Sequence, residues 1–334
     1  MMPDPERIKI LYIASTGRSG KTLLEVMLGR LPGVLSAGEV THIWKRGFEL
    51  DQLCGCGERF SRCPFWSRVV LEAFGKSSGI PVSDIIALRE RVCSIASLPQ
   101  MAIPALRTPA FQSRLAQYSE HLLRLYEAIR KVCNCRVILD SSKYPPELFL
   151  LHAIERVDLS VVHLVRNSNA VVHAWRKWKV RPEIHWRREF MPRHGRLKTA
   201  MAWNVYNAVI GSMPARGVPY RLVRYEDLIQ RPHETIAMVA ELLDGVDCDL
   251  RFIGEDGVEL GINHTVAGNP VRFERGTIPL HLDQEWEERV PLIQKQLVNL
   301  LTLYHQRKYG YIGRLSQGPG QGTRLSPPSP ANWP

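Results

Sequence analysis

A central parallel sheet with helices on both faces is the architecture that two features of this 334-residue chain predict. Four short apolar runs rich in β-branched residues are separated by stretches of helical periodicity, the alternation of an α/β fold. Each run ends in a polar cluster, and in such sheets ligands sit beyond the carboxyl ends of the strands. Hydrophobic residues make up 45% and charged residues 23%, a mixture that buries a core and excludes bulk disorder and collagen. The apolar stretches around Val26 and Val161 stop short of the roughly 18 residues a membrane span needs. The polar start from Met1 to Lys9 lacks the pattern of a secretory signal. A soluble, cytoplasmic protein with no transmembrane segment is expected.

Ile8 to Ala14 reads as the first buried strand and runs into Ser15-Thr16-Gly17-Arg18-Ser19-Gly20. A helix follows, because Leu23, Met27 and Leu31 recur every four residues beside Leu24 and Leu28, and Pro32-Gly33 stops it. Phe65 to Lys131 is helical in pattern without a chemical motif, which predicts an inserted helical cap. Arg136 to Leu139 is the second strand and leads into Asp140-Ser141-Ser142-Lys143. Leu159 to Val165 is the third, ending at Arg166, and Tyr220 to Val223 the fourth, opening into Arg224-Tyr225-Glu226-Asp227. Lys198 to Met213 and Leu292 to Tyr304 have the three- and four-residue apolar spacing of amphipathic helices. Of the 19 residues from Ser316 to Pro334, eleven are Pro, Gly or Ser, a composition that predicts disorder. With no repeat and no clear linker, the organisation is one domain over residues 1–313, a cap insertion at 65–131 and a tail at 314–334.

Lys and Arg number 44 against 33 Asp and Glu, a formal charge of +11, and much of the excess is local: Arg166 to Lys198 holds ten cations and two acids. Such a strip predicts an anionic partner, among them a phosphorylated small molecule, an acidic polymer, nucleic acid or a membrane surface, against the alternative of a plain solvated face. The seven cysteines are expected as free thiols in a chain without an export signal. Cys54, Cys56 and Cys63 are a candidate metal set that could recruit His42, but they lack the usual paired Cys-x-x-Cys spacing, and no metal is expected.

The first strand, its glycine turn and the helix after it make a phosphate cradle by elementary physics. A first helical turn has unpaired N–H groups and a positive dipole end, Gly20 lets backbone approach an anion, and Arg18, Lys21 and Thr22 add charge and donors. The strict nucleotide-binding P-loop pattern wants a glycine where this chain has Ser15.

Thr16-Gly17-Arg18-Ser19-Gly20-Lys21-Thr22-Leu23-Leu24, Pro32-Gly33 and Ser36-Ala37-Gly38-Glu39 resemble the opening of the sulfotransferase superfamily, in particular its bacterial and tyrosylprotein-sulfotransferase-like branch. The order of later blocks is similar too: Leu139-Asp140-Ser141-Ser142-Lys143-Tyr144-Pro145, Val162 to Asn167, Trp203-Asn204, Arg224 to Leu228, and His264 to Arg272. The resemblance spans residues 8–310. It implies a P-loop NTPase-like three-layer sandwich and a transfer reaction that uses 3'-phosphoadenosine 5'-phosphosulfate (PAPS). A Cys-rich turn before Pro64-Phe65-Trp66 also resembles relatives that need no metal.

By that resemblance the 5'-phosphosulfate lies on Gly17, Arg18, Ser19, Gly20, Lys21 and Thr22, and Arg166 grips the 3'-phosphate, a task suited to a planar guanidinium fork. The family's serine eight residues after this arginine is Ala174 here, so His173, Asn167 or Arg272 is expected to compensate, or 3'-phosphate affinity to be weaker. Glu39 matches the catalytic base and Lys143 the lysine that neutralises the transferring group, with Arg18 beside them. Lys21 stands where relatives carry Ser or Thr and could reach the same oxygens. The partner implied is a hydroxyl-bearing acceptor, such as a carbohydrate, lipid, phenol or peptide; nucleic acid is not expected, and oligomeric state, including a homodimer, is open. Two rivals remain at this stage: a kinase using ATP and Mg²⁺, with Asp140 as the metal-binding carboxylate, and a non-catalytic polyanion-binding module.

Overall fold

The computed structural model describes residues 7–75 and 79–312. Five strands, β1 (Ile8–Ser15), β2 (Val34–Gly38), β3 (Val137–Lys143), β4 (Val157–Val165) and β5 (Tyr220–Arg224), form one sheet in the order β2-β3-β1-β4-β5. Every pairing in it is parallel. Successive strand residues face opposite sides. In β1, Ile8, Ile10, Tyr12 and Ala14 enter one hydrophobic cluster while Leu11 and Ile13 enter another. A strand covered on both faces is nearly continuous in apolar residues, which is why β1 and β4 were legible despite Lys9, Ser160 and His163.

One face is covered by α1 (Lys21–Leu28) and by the two later helices Tyr225–Gln230 and Pro232–Ala240. The other carries the helices between β2 and β3: α2 (Pro64–Phe74), α3 (Val82–Val92), α4 (Leu98–Ala102) and α5 (Pro109–Cys133), followed by α6 (Pro145–Ala153). The long α5 starts on Thr108, whose hydroxyl accepts the Phe111 N–H, with Pro109 in the first turn, and ends on left-handed Asn134. Its buried Tyr118, Leu122, Leu125, Tyr126 and Ile129 share one core with β1 and with Trp66 of α2. These helices between β2 and β3 are continuous with the sheet's core.

Four local readings are corrected. The strand β2 went unread, because after Val34 and Leu35 it consists of Ser36, Ala37 and Gly38, with no apolar period. A small antiparallel sheet of Ile253–Gly254, Gly257–Leu260 and Gly276–Ile278 was also missed, its strands being too short to show alternation. The last helix breaks at Thr302 into Leu292–Leu301 and Leu303–Lys308, where the Thr302 hydroxyl bonds back to Val298 O. Cys133 and Cys135 are paired as a disulfide across Asn134, against the expectation of free thiols throughout; the other five are free. The tail at 314–334 lies outside the described residues. No helix among the described residues is long and apolar enough to cross a membrane.

In this order β1 connects to β2 on one side while its neighbour β4 connects to β5 on the other, so the connections diverge between β1 and β4. A crevice opens beyond the carboxyl ends of strands so placed. The chain ends of β1, β2, β3 and β4 deliver the turn after Ser15, Glu39, Lys143 and Arg166 to it.

Candidate functional site

Two left-handed residues, Arg18 (φ 70°) and Gly20 (φ 87°), turn the chain back between β1 and α1. A Cβ on Gly20 would lie 2.3 Å from the Tyr225 ring, so both the dihedral and the space require glycine there. Gly17 is closed in the same way by the Trp175 indole, whose Nε1 donates to Gly17 O at 3.0 Å. The Ser19 side chain turns inward to Thr16, Oγ to Oγ1 2.8 Å, and the backbone of the turn faces out. The Lys21 and Thr22 N–H groups precede the first bonds of the helix, those of Leu23 and Leu24 to Gly20 O, and remain to meet an anion.

Glu39 follows Gly38, which has φ 87° and no room for a side chain against the Val266 backbone 2.3 Å from its Cβ position. The Glu39 N–H donates to Val266 O at 2.7 Å, so the carboxylate is aimed by the close crossing of two chain segments. It is 4% exposed and lies between two ammonium groups, Lys21 Nζ at 2.7 Å from Oε1 and Lys143 Nζ at 2.8 Å from Oε2. Burial alone would raise its pKa, but Lys143 and Lys21 hold the carboxyl well below its ordinary value. His42 Nε2 is 3.2 Å from Oε2, and burial together with Arg46 pushes the His42 pKa down to about 3, so the ring is neutral. Behind the lysines, Ser141 donates to Glu25 Oε2 and Ser36 to Glu25 Oε1, each at 2.7 Å, and Lys21 donates to Ser141 at 3.2 Å. Lys143 itself has φ 67°, a conformation costly for lysine and of the kind that collects at working sites.

Arg166 lies over the Tyr225 ring, 4.3 Å from its centroid, and reaches Arg18 O at 3.2 Å and the Asp283 carboxylate at 3.1 Å. Lys177 shares that carboxylate at 3.4 Å and also pairs with Glu285. Ala174 does lie in the cleft wall, where it offers no donor. The two neighbours expected to compensate are engaged elsewhere: the Asn167 side chain caps the Asn169 N–H, and His173 faces Glu285 at 3.8 Å. Arg272 is a correction as well. It is 1% exposed, and its fork donates to Thr265 O at 2.5 Å and Leu53 O at 2.8 Å, tying two segments together away from the cleft.

These groups line a cleft of about 410 Å³ in which Arg18, Lys21, Arg46, Lys143, Arg166, Lys177, Lys179 and Arg181 face Glu39 and Asp283, eight cations to two acids. Lys179 shows the imbalance directly, since burial and repulsion from Arg18 and Lys177 lower its pKa. Of the residues that line it, sequence reading named Arg18, Lys21, Glu39, Lys143 and Arg166 but missed Lys177, Lys179, Arg181 and Arg46; the first three of these were visible as members of the basic strip. Other cations of that strip are spent locally, as with Arg187 on Glu189. Asp140 is 2% exposed and uses Oδ2 for Tyr126 OH at 2.6 Å and Oδ1 for Ser142, so no carboxylate of β3 faces the cleft for Mg²⁺. The structure assembles Cys54, Cys56 and Cys63 with His264, not with His42.

No protein-family model and no curated protein matches the chain. Among solved structures it is similar to the sulfotransferase domain from the Synechococcus PCC 7002 olefin synthase, at 20% identity and TM-score 0.47 over 91% of this chain and 97% of that one. A sulfotransferase domain from the curacin biosynthetic pathway is similar at 16% identity and TM-score 0.46, over 89% and 98%. Mouse sulfotransferase SULT7A1 complexed with PAP is similar at 9% identity and TM-score 0.42, over 91% and 86%.

Proposed function

We propose that this chain is a sulfotransferase that moves a sulfuryl group from PAPS to a hydroxyl acceptor. The observation that carries the reading is Glu39, a carboxylate held between two lysines at the mouth of a glycine turn in a cleft otherwise dominated by cations. The order of sequence blocks shared with sulfotransferases supports it independently.

In this reading the acceptor oxygen forms a bond to sulfur as the bond from sulfur to the bridging oxygen breaks. The acceptor proton passes to Glu39, and adenosine 3',5'-bisphosphate leaves with the bridging oxygen and its negative charge. Lys143 and Lys21 neutralise that charge, and donors aimed at developing charge supply about 10²–10³ in rate. Arg166 takes the 3'-phosphate in place of Asp283, with Lys177 beside it. Before the donor enters, both lysines lie on Glu39 and keep it a weak base. Donor oxygens compete for the same ammonium groups, and the buried carboxylate then regains basicity when a hydroxyl must be deprotonated.

The kinase alternative lacks support in the placement of Asp140, whose two oxygens are engaged inside the core. A passive polyanion-binding module gains nothing from a buried carboxylate at the centre of its charge. The test is turnover: the purified chain with PAPS and a panel of sugars, phenols and tyrosine peptides should release bisphosphate only with acceptor present. Phosphoryl transfer from ATP with Mg²⁺, and no sulfuryl transfer, would replace this reading with the kinase.

A further inference from the structure

Cys54, Cys56, Cys63 and His264 come from two segments some 200 residues apart, yet their ligand atoms all lie within 4.8 Å of one another. Cys56 Sγ is 3.7 Å from Cys63 Sγ, and His264 Nδ1 is 3.3 Å from Cys63 Sγ and 3.9 Å from Cys54 Sγ. Zinc bonds of about 2.3 Å to sulfur and about 2.0 Å to nitrogen, arranged tetrahedrally, give edges of about 3.8 Å between sulfurs and about 3.5 Å between sulfur and nitrogen. The three separations just given lie within about 0.4 Å of those edges, and all four ligand atoms fall within 4.8 Å of one another.

The local chain is shaped to make the cluster. Gly57 (φ 95°) closes a tight turn in which Cys54 N donates to Glu58 O at 2.8 Å and Gly57 N to Cys54 O at 2.9 Å, putting Cys54 and Cys56 on one side. A short helical turn then returns Cys63, the residue that precedes α2. Gly55 passes so close to the second segment that a Cβ would lie 2.0 Å from Asn263 Oδ1. His264 is fixed by Trp66, whose Nε1 donates to His264 O at 2.7 Å, and by Phe65 stacked on its ring at 5.1 Å. Cys54 and Cys63 are 1% and 0% exposed, and the opposing set offers three thiols and one imidazole, the donor chemistry of a Cys₃His zinc centre.

We infer that these four side chains hold a tetrahedral structural zinc ion. Four protein ligands leave no open position for a substrate, and none of the four lines the cleft, so the ion would act on the fold and not on the reaction. What it fastens is the segment from Asn263 to Asn269 against the turn after Leu53. That segment supplies Val266 to the Glu39 backbone and Asn269 to the Thr22 hydroxyl. The zinc would therefore set the seat of Glu39 from outside the cleft, in parallel with Arg272, which bridges the same two segments. The inference stands whether or not the chain transfers sulfuryl groups.

The experiment is metal analysis of the full chain, expressed without a histidine tag and purified under reducing conditions. One zinc per chain is expected, replaceable by Co²⁺ with the visible and thiolate charge-transfer bands of a tetrahedral thiolate centre. Cys56→Ser should lower the zinc content and the melting temperature, while His264→Cys, which keeps four ligands, should retain the metal. Unaltered zinc content in both Cys56→Ser and Cys63→Ser would overturn the assignment. So would a chain that takes up no zinc when zinc is added to the reduced protein, or one isolated with Cys56 and Cys63 joined as a disulfide that full reduction does not convert to a zinc-binding form.

Discussion

Glu39 is ionised in an interior that disfavours charge because two buried ammonium groups stand on either side of it. Each lysine in turn depends on Glu39, since a buried charge stripped of its partner carries a desolvation cost. Glu39→Gln keeps the shape and removes the proposed base. The expected result is a fall in kcat of about 10²–10⁴ with bisphosphate affinity undiminished, because Lys21 and Lys143 are released to the ligand. Steady-state kinetics and calorimetry on the same variant read the two quantities separately, and full turnover would remove Glu39 from its role. Glu39, Lys143 and Arg166 were legible because each ends a strand or follows one in a recognisable block. Arg272 was legible as part of a block and wrong in role: nothing in a sequence says that its fork is spent on Thr265 O and Leu53 O. Lys177 and Lys179 were readable as charge but not as cleft lining, which depends on how the loop after α7 (Ser168–Ala174) folds back over the turn.

The element that would hold an anion in the proposed function is the unit of β1, glycine turn and α1, and its geometry concentrates on Gly20. Alanine there meets both a left-handed dihedral and the Tyr225 ring, so the turn must shift away from its cradle shape. Gly20→Ala is expected to weaken bisphosphate binding by at least about tenfold, the equivalent of roughly 1.4 kcal/mol. Gly195→Ala, at an ordinary dihedral with open space around it, should leave binding unchanged. Equal affinities in the two variants would show that the turn does not hold the ligand. Strand and turn were plain in the sequence because apolar run, glycines and helical spacing agree. The strand β2 was not, since its Ser36, Ala37 and Gly38 are small to suit the crossing with Val266, a constraint that only the tertiary contact reveals.

For the molecule as a whole, one sheet separates two hydrophobic clusters, and the buried charges sit at its carboxyl edge. Asp140 is the counterexample, a carboxyl kept inside the core, its pKa raised to about 6 by burial despite hydrogen bonds from Ser142 and Tyr126. A folded-state pKa above the unfolded value contributes stability that is present below about pH 4 and lost as pH rises through 6, here up to about 3 kcal/mol. Asp140→Asn does not titrate, so its melting temperature relative to the parent chain should climb between pH 4 and 6.5 and level off above. A difference that falls over that window would contradict the assignment of burial as the dominant cause.

The cleft's excess of cations, its glycine turn and its arginine at the end of β4 suit the bisphosphate that the proposed function requires, and a calorimetric titration asks for it directly. Adenosine 3',5'-bisphosphate in Mg²⁺-free buffer should bind the purified chain with micromolar affinity, and Arg166→Ala should abolish that binding. If the bisphosphate fails to bind while ATP with Mg²⁺ does, the sulfuryl-transfer account is wrong and the cleft belongs to a kinase.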